Sequence, residues 1–314
     1  VRAPYVKGIA SEIEFEGERR REETGWTRMR VEDGLPNPYH EPPEGPVLRG
    51  TVWAGAGSAL FPRDLLAKLM PGSLVFDPFY WEDVDLGLRA WRMGYDSVVC
   101  PSSKVVHGHR VTVRRFYAEA EVQRVFERNR LQLLLRHPLE EVRRGALARR
   151  LLNLCPRSML ELILPSRLMA FWRIRRELRA APGLDLDYAA MSTQVCRPLQ
   201  ARPCIVMVTP FAIYPARHGG AVRTMQLARS LAATFEIILL SDERELYSDC
   251  AALLDTHFAS VHLISGRPDL PPALGSDRVP RMHSHAHRKL RSELRRLIET
   301  RRPVAVIVEH MELG

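Results

Sequence analysis

Apolar positions recur along the first part of the chain with two periods, and each period places an element. The run GIASEIEFEG (8–17) alternates and predicts a strand. A proline- and glycine-rich loop, GLPNPYHEPPEGP (34–46), interrupts the pattern. TVWAGAGSALF (51–61) then offers small apolar residues that suit a strand and a turn with close backbone approach. DLLAKLM (64–70) predicts a short helix opened by Asp64 and closed by Pro71 and Gly72. After an extended approach, FDPFY (76–80), residues Val84, Leu88 and Trp91 fall at i, i+4 and i+7. That spacing is one apolar face of a helix running from Glu82 to a stop at Gly94. SVVCP (97–101) and KVVHG (104–108) read as two short strands, and FYAEAEVQRVFERNRLQLLLRH (116–137) as one long helix.

Beyond residue 138 the pattern changes twice. From 139 to 181 it is helical and basic, with Arg143, Arg144, Arg149, Arg150, Arg173, Arg175, Arg176 and Arg179 set among LLNL, MLELIL and LMAFW, and with breaks at Pro156 and Pro165. The stretch 181–202 has no sustained period and reads as a linker. From Pro203 a new alternation begins: CIVMVTPF as a buried strand, ARHGG as a glycine turn, and AVRTMQLARSLAATF as a helix with Ala221, Met225, Ala228 and Ala232 on one face. EIILLS, VHLIS and VAVIVEH supply further strands, with the basic helix HRKLRSELRRLIETRR before the last. Strands alternating with helices predict a parallel sheet with helices on both sides. The expected organisation is 1–138, a connector over 139–202, and a second domain over 203–314.

Composition narrows the class. The chain has 314 residues, 46% hydrophobic and 26% charged, enough for an ordinary core in each half. No apolar run is long enough to span a bilayer and no leader pattern opens the sequence. Five cysteines, Cys100, Cys155, Cys196, Cys204 and Cys250, are scattered without a CxxC pair, which fits a reducing, cytoplasmic setting. A net charge of +9 suits nucleic acid, anionic lipid or phosphorylated substrates equally and does not choose among them. A start at Val1 and an end at Gly314, just after a strand-like run, lead to the expectation of a fragment.

Three acids, Glu82, Asp83 and Asp85, follow directly behind Phe79, Tyr80 and Trp81. Acids favour the first turn of a helix, where they complement its dipole, and Asp85 with Arg89 forms an i,i+4 pair. The ordered series around them is more specific. Gly57, Arg63, Phe76, Asp77, Glu82, Asp83, Val84, Asp85, Leu86, Arg89, Gly94, Tyr95, Pro101, Val105 and His107 together resemble the C-terminal half of a family 2 glycosyltransferase, the inverting class with a GT-A fold. The resemblance covers roughly residues 9–137. It implies Asp83 as the base that activates an acceptor hydroxyl, with Glu82 beside it. It also implies Trp53, Gly57, Tyr80 and Trp81 around the substrate, the aromatics as a wall for sugar faces. His107 is implied as a ligand of a divalent metal, Mn or Mg, that bridges the donor diphosphate. The family's DxD and its nucleotide-binding half do not occur before residue 50, so the 314 residues alone are expected to be inactive.

ARHGGAVRT places Gly219 and Gly220 between a strand and a helix, where backbone can approach a phosphate or sugar, or simply turn tightly. The longer run CIVMVTPFAIYPARHGGAVRTMQLARSLAATFEIILLS looks like the start of a family 4 glycosyltransferase. This resemblance implies that 203–314 is most of a Rossmann-like, acceptor-side GT-B domain, with Glu309 at the carboxyl edge of its sheet. The fold class expected is α/β: a partial GT-A (nucleotide-diphospho-sugar transferase) domain, a helical basic connector, then a partial Rossmann-like GT-B N-terminal domain. The function implied is a bifunctional, hexosyltransferase-like enzyme that moves sugars from nucleotide-sugar donors to a glycan or lipid-linked acceptor in polysaccharide or cell-envelope synthesis.

Two rival classes stand beside this one. The arginine-rich 139–181 region would suit a membrane-associated binding module at the inner face of the membrane, or a merely solvated helical face. Peripheral contact of that kind is compatible with an enzyme acting on lipid-linked acceptors. The family 2 half could instead be a degenerate, non-catalytic scaffold. Nucleic acid is disfavoured, because no RNP motif or zinc finger occurs and aromatics do not interleave with the basic residues.

Overall fold

The computed structural model describes residues 5–15, 18–32, 35–42, 48–108, 111–137, 202–210, 213–242, 257–264 and 287–309, with 169, 191 and 195–196. It is mixed α/β and divides into two compact units. One comprises Pro4–Glu44 and Thr51–Tyr188, the other Val1–Ala3, Gly45–Gly50 and Ala189–Gly314. The expected helical connector over 139–181 lies outside the described residues apart from Met169. Among the described residues no helix is long and apolar enough to cross a membrane.

The first unit is built on a long strand β1 (Tyr5–Phe15), followed by β2 (Glu18–Thr24), β3 (Trp26–Glu32) and β4 (Leu35–Glu41). After a segment that belongs to the other unit and contains β5 (Leu48–Gly50), the chain adds the two-residue β6 (Ala59–Leu60), α1 (Arg63–Leu69) and α2 (Glu82–Arg92). It then forms β7 (Asp96–Gly108), α3 (Val111–Phe116) and α4 (Glu119–Arg136). β1 pairs in parallel with β7 along one edge, and antiparallel with β6 and then β2 along the other. β3 and β4 form a separate antiparallel ribbon.

Several expectations change here. SVVCP and KVVHG are one strand, whose pairing slips between Ile9–Cys100 and Ala10–Lys104. The three residues passed over include Pro101, which has no N–H to give a ladder, so a bulge replaces the expected break. The helix expected over 116–137 starts at Glu119, with α3 as a separate piece before it. Pro71 and Gly72 do not end the helical path, which tightens into a 3-10 helix over Met70–Phe76. TVWAGAGSALF contains only the two residues of β6 as strand and a 3-10 turn at Ala56–Ser58.

The second unit adds β8 (Val195–Cys196), β9 (Cys204–Thr209), α5 (Gly219–Leu231), β10 (Glu236–Ser241), β11 (Ser260–Leu263), α6 (Arg288–Arg301) and β12 (Ala305–Val308). Its strands lie in the order β12-β9-β10-β11-β8-β5. The first four are parallel, and β8 is antiparallel to both of its neighbours. Taken in chain order the parallel strands run 4-1-2-3, the half-sheet of a doubly wound fold. Ile205, Met207, Ile237 and Leu239 form one face and pack with Ala221 and Ala228 of α5. His262 of β11 bonds instead to Glu293 of α6, so the two helices cover opposite faces. The glycine pair expected as a turn is the first turn of α5 itself.

Candidate active site

The helix α2 was expected to bury one face, yet every residue from Val84 to Trp91 is buried. Its acids are therefore set into protein on different sides, and their surroundings separate them. Asp85 is fully buried between two arginines and a histidine. Arg89 Nε donates to Asp85 Oδ2 at 2.8 Å, Arg136 Nη1 lies 3.3 Å from Oδ1, and His137 Nε2 lies 2.9 Å from the same oxygen. Arg89 also donates to the Leu69 carbonyl, and Arg136 to that of Gly72 while its guanidinium lies over the Phe76 ring. Burial alone would raise the Asp85 carboxyl. The His137 hydrogen bond and the two guanidinium groups outweigh it and hold it down at about 2. Burial likewise lowers His137, beyond what Asp85 gives back, so the imidazole is neutral there.

Among the described residues Asp83 has no cation of this kind. Its residue keeps partial contact with solvent, yet the carboxyl is closely surrounded by protein atoms. That burial, with the charge of Glu82 beside it, pushes Asp83 up to about 7. The Val84 N–H, which donates to Asp83 Oδ1 at 2.8 Å, and a side-chain hydrogen bond from Trp53 oppose the rise without cancelling it. Glu82 is raised too, by burial and the nearby Asp77. Its Oε2 is buried and accepts no hydrogen bond among the described residues. A carboxylate that takes up a proton near neutrality, beside a second strained carboxylate, has the basicity of a general base.

The approach to these acids is held in an unusual backbone. Tyr80 and Trp81 both lie in the left-handed region, at φ 71° and 75°, where aromatic residues are costly to place. Two residues of α4 hold the loop there. Asn129 Nδ2 reaches the carbonyls of Phe76 at 2.6 Å, Phe79 at 2.8 Å and Tyr80 at 3.1 Å. Arg128 donates to the Asp77 carbonyl and, through Nε, to Asn129 Oδ1. Trp81 is only 3% exposed and packs on Phe126, so of the expected aromatic wall only Phe79 and Tyr80 keep solvent contact. The reason is the left-handed turn, which swings the ring at the head of α2 inward. Phe79 sits edge-on to Tyr80 and to Tyr117, and Tyr80 edge-on to Phe126.

The remaining predicted residues are placed as follows. Trp53 is 4% exposed and lies against α2, not in an open cleft. Gly57 is exposed, in the 3-10 turn before β6, with open space where a Cβ would point. His107 is exposed near the end of β7, opposite Ile13 in the ladder. Among the described residues no three His, Cys, Asp or Glu side chains come together as a group able to hold a metal ion. A cage around His107 therefore does not exist among them. In the other unit, Gly219 and Gly220 open α5 beyond the end of β9, and Glu309 follows β12. β9 and β12 are neighbours, so both features sit at the carboxyl edge where the strand order reverses. Arg223 of α5 pairs directly with Glu309. A Cβ on Gly219 would meet nothing within 4 Å, so packing does not demand its smallness. The His218 side chain caps α5 by accepting from Ala221 N–H at 3.3 Å.

Sequence reasoning missed Arg136, the second cation on Asp85, His137, its neutral hydrogen-bond partner, and Asn129, which holds the loop. Nothing local marks them. Gly87 was also missed, although a glycine inside a helix is a visible signal of close packing.

Comparison with known proteins adds little. No family model matches the chain, and no curated protein matches it. Among solved structures it is similar to GalNAc-T7, a crystal structure with UDP, GalNAc and Mn2+, at 14% identity and a TM-score of 0.33. That likeness covers 56% of this chain and 35% of the other. A likeness so slight fixes neither fold nor chemistry.

Proposed function

We propose that the first unit is the acceptor-side half of an inverting glycosyltransferase, with Asp83 as general base and Glu82 sustaining its basicity. The observation that carries this reading is the Asp83 carboxyl, raised to about 7 and still in partial contact with solvent at the head of α2. In the step proposed, the Asp83 carboxylate takes the proton of an acceptor hydroxyl as that oxygen bonds to the anomeric carbon of a nucleotide sugar. The bond from that carbon to the nucleoside diphosphate breaks on the opposite face, and the diphosphate leaves with the electron pair. One base suffices for inversion. Phe79 and Tyr80, which keep solvent contact, are the aromatics available to a glycan or lipid-linked acceptor. Gly219, Gly220 and Glu309 are proposed as a substrate subsite of a second transferase. Their support is a shared place at the reversal of strand order and the Arg223 pair that holds Glu309 there.

The test is sugar transfer from a panel of nucleotide sugars with Mn or Mg. It is run on this chain, alone and within any longer protein that carries it. Asp83→Asn should lower one transfer by about a hundred- to ten-thousand-fold and leave any second transfer intact. Transfer unchanged by the substitution would reduce the acidic cluster to a helix start and favour the scaffold reading.

A further inference from the structure

We infer that Asn129 is the positioning residue of the proposed transfer site: its buried side-chain amide holds the 76–81 loop in the left-handed path that leaves Phe79 and Tyr80 in contact with solvent and sets the acids at the head of α2 in place. The inference rests on the reading of Asp83 given above. It adds the group that keeps the base and the acceptor aromatics in register.

The amide can point only one way. Asn129 is 0% exposed, and its Nδ2 donates towards the carbonyls of Phe76 at 2.6 Å, Phe79 at 2.8 Å and Tyr80 at 3.1 Å. Carbonyl oxygens only accept, so the nitrogen must face them, and its two hydrogens are shared among three. Arg128, which only donates, lies with Nε 3.0 Å from Asn129 Oδ1 and fixes the same orientation from the other end. Arg128 Nη2 also donates to the Asp77 carbonyl. Two adjacent side chains of α4 thus take up the carbonyls of Phe76, Asp77, Phe79 and Tyr80.

Those bonds offset local strain. Tyr80 and Trp81 stand in succession at φ 71° and 75°, a region that aromatic residues enter at a cost. Strain of this kind persists only where the surroundings over-determine it, and it gathers at functional sites. Its consequence runs into α2. Trp81 is the N-cap residue of that helix, makes no side-chain cap, and accepts the Asp85 N–H on its carbonyl at 3.0 Å. The first turn, with Glu82 and Asp83, therefore takes its direction from the Trp81 backbone. Phe126, three residues before Asn129 on the same face of α4, receives the Trp81 ring at 5.1 Å and the Tyr80 ring edge-on at 5.9 Å. One helix face thus seats both the rings and the carbonyls of the loop. Without the amide the turn relaxes towards ordinary backbone, which moves the Trp81 ring off Phe126 and Asp83 away from the acceptor hydroxyl.

The experiment compares wild type with Asn129→Ala, which has no donor, and with Asn129→Asp. The second keeps the shape of the side chain and its Arg128 partner, so it remains informative if the alanine variant does not fold. Each is made with 5-fluorotryptophan, the line of residue 81 being assigned by its loss in Trp81→Phe, and transfer is measured on the same samples. The Trp81 line, from a residue 3% exposed, should gain a solvent isotope shift in both variants, while that of Trp91, 2% exposed on the same helix, stays as in wild type. kcat should fall by about ten- to hundredfold with the donor KM changed by less than about threefold, because misplaced reacting groups lose rate rather than binding. A Trp81 line unmoved in both variants overturns the proposal, and so does a lowered stability with kcat intact; neither touches the Asp83 base. Full transfer by Asp83→Asn overturns that base whatever the fluorine lines show, so the two failures register on different measurements.

Discussion

Asp83 and Asp85 are two residues apart on one helix, and the protein treats them in opposite ways. On the side of α2 that meets the end of α4, Asp85 is closed in by Arg89, Arg136 and His137 and is held ionised at about 2. On the side that meets the Trp53 segment, Asp83 meets an indole, a backbone N–H and another carboxylate, and rises to about 7. Both carboxyls are surrounded by protein, so burial does not separate them. Compensation does: a buried charge with cationic partners is structural, and one without them is left chemically poised. The second unit repeats the first kind at Glu293, where Arg296 at 2.7 Å and 2.8 Å and His262 at 3.0 Å hold the carboxyl below its ordinary value against burial.

The comparison breaks most visibly at Asp85. Asp85→Asn leaves the Arg89 and Arg136 guanidinium groups buried without a counter-charge. It should lower the stability of the first unit by about 3–5 kcal/mol, read from urea unfolding at pH 7. A loss below about 1 kcal/mol would mean the cations relax to solvent and that Asp85 differs from Asp83 in name only. The pH sign follows from the lowered value. Stability contributed by Asp85 is present above about pH 4 and is lost as pH falls towards 2.

Gly87→Ala acts on the other side of the helix. The added methyl meets the backbone of Val52 and Trp53 and should cost about 1–3 kcal/mol by pushing that segment off α2, measured in the same unfolding assay. A loss below about 0.5 kcal/mol would mean that the segment gives way to the methyl without strain.

The smallest expected effect sharpens the contrast most. Asp83 is raised in the folded protein, so its contribution favours folding at low pH and is lost as pH rises from about 4 through about 7. Asp83→Asn removes that loss. The variant should match wild type near pH 4 and exceed it at pH 8 by on the order of 1 kcal/mol, a few degrees in Tm, while its transfer falls. Greater stability with lower activity is the mark of a residue kept for chemistry. A variant less stable at pH 8 would place Asp83 with Asp85 among the structural acids.

The sequence determined the start of α2, its Gly94 stop, the acids in its first turn and the Asp85–Arg89 pair, because these depend on spacing within one turn or two. It also determined the alternation that becomes β9, α5, β10, β11, α6 and β12, since buried parallel strands and amphipathic helices differ in period. Only the tertiary structure decided which acid would be neutralised. Arg136 and His137 lie 51 and 52 positions from Asp85, and Asn129 lies 49 to 53 positions from the carbonyls it holds. Periodicity carries no information about such partners. The same holds for Trp53 and Trp81, which as amphipathic aromatics suit a sugar-binding wall as well as a core. The missing Cβ of Gly87 and the left-handed turn before α2 assigned both to the interior. In a local reading Glu82, Asp83 and Asp85 are equivalent charges at the head of a helix; what distant segments bring against each one makes them different.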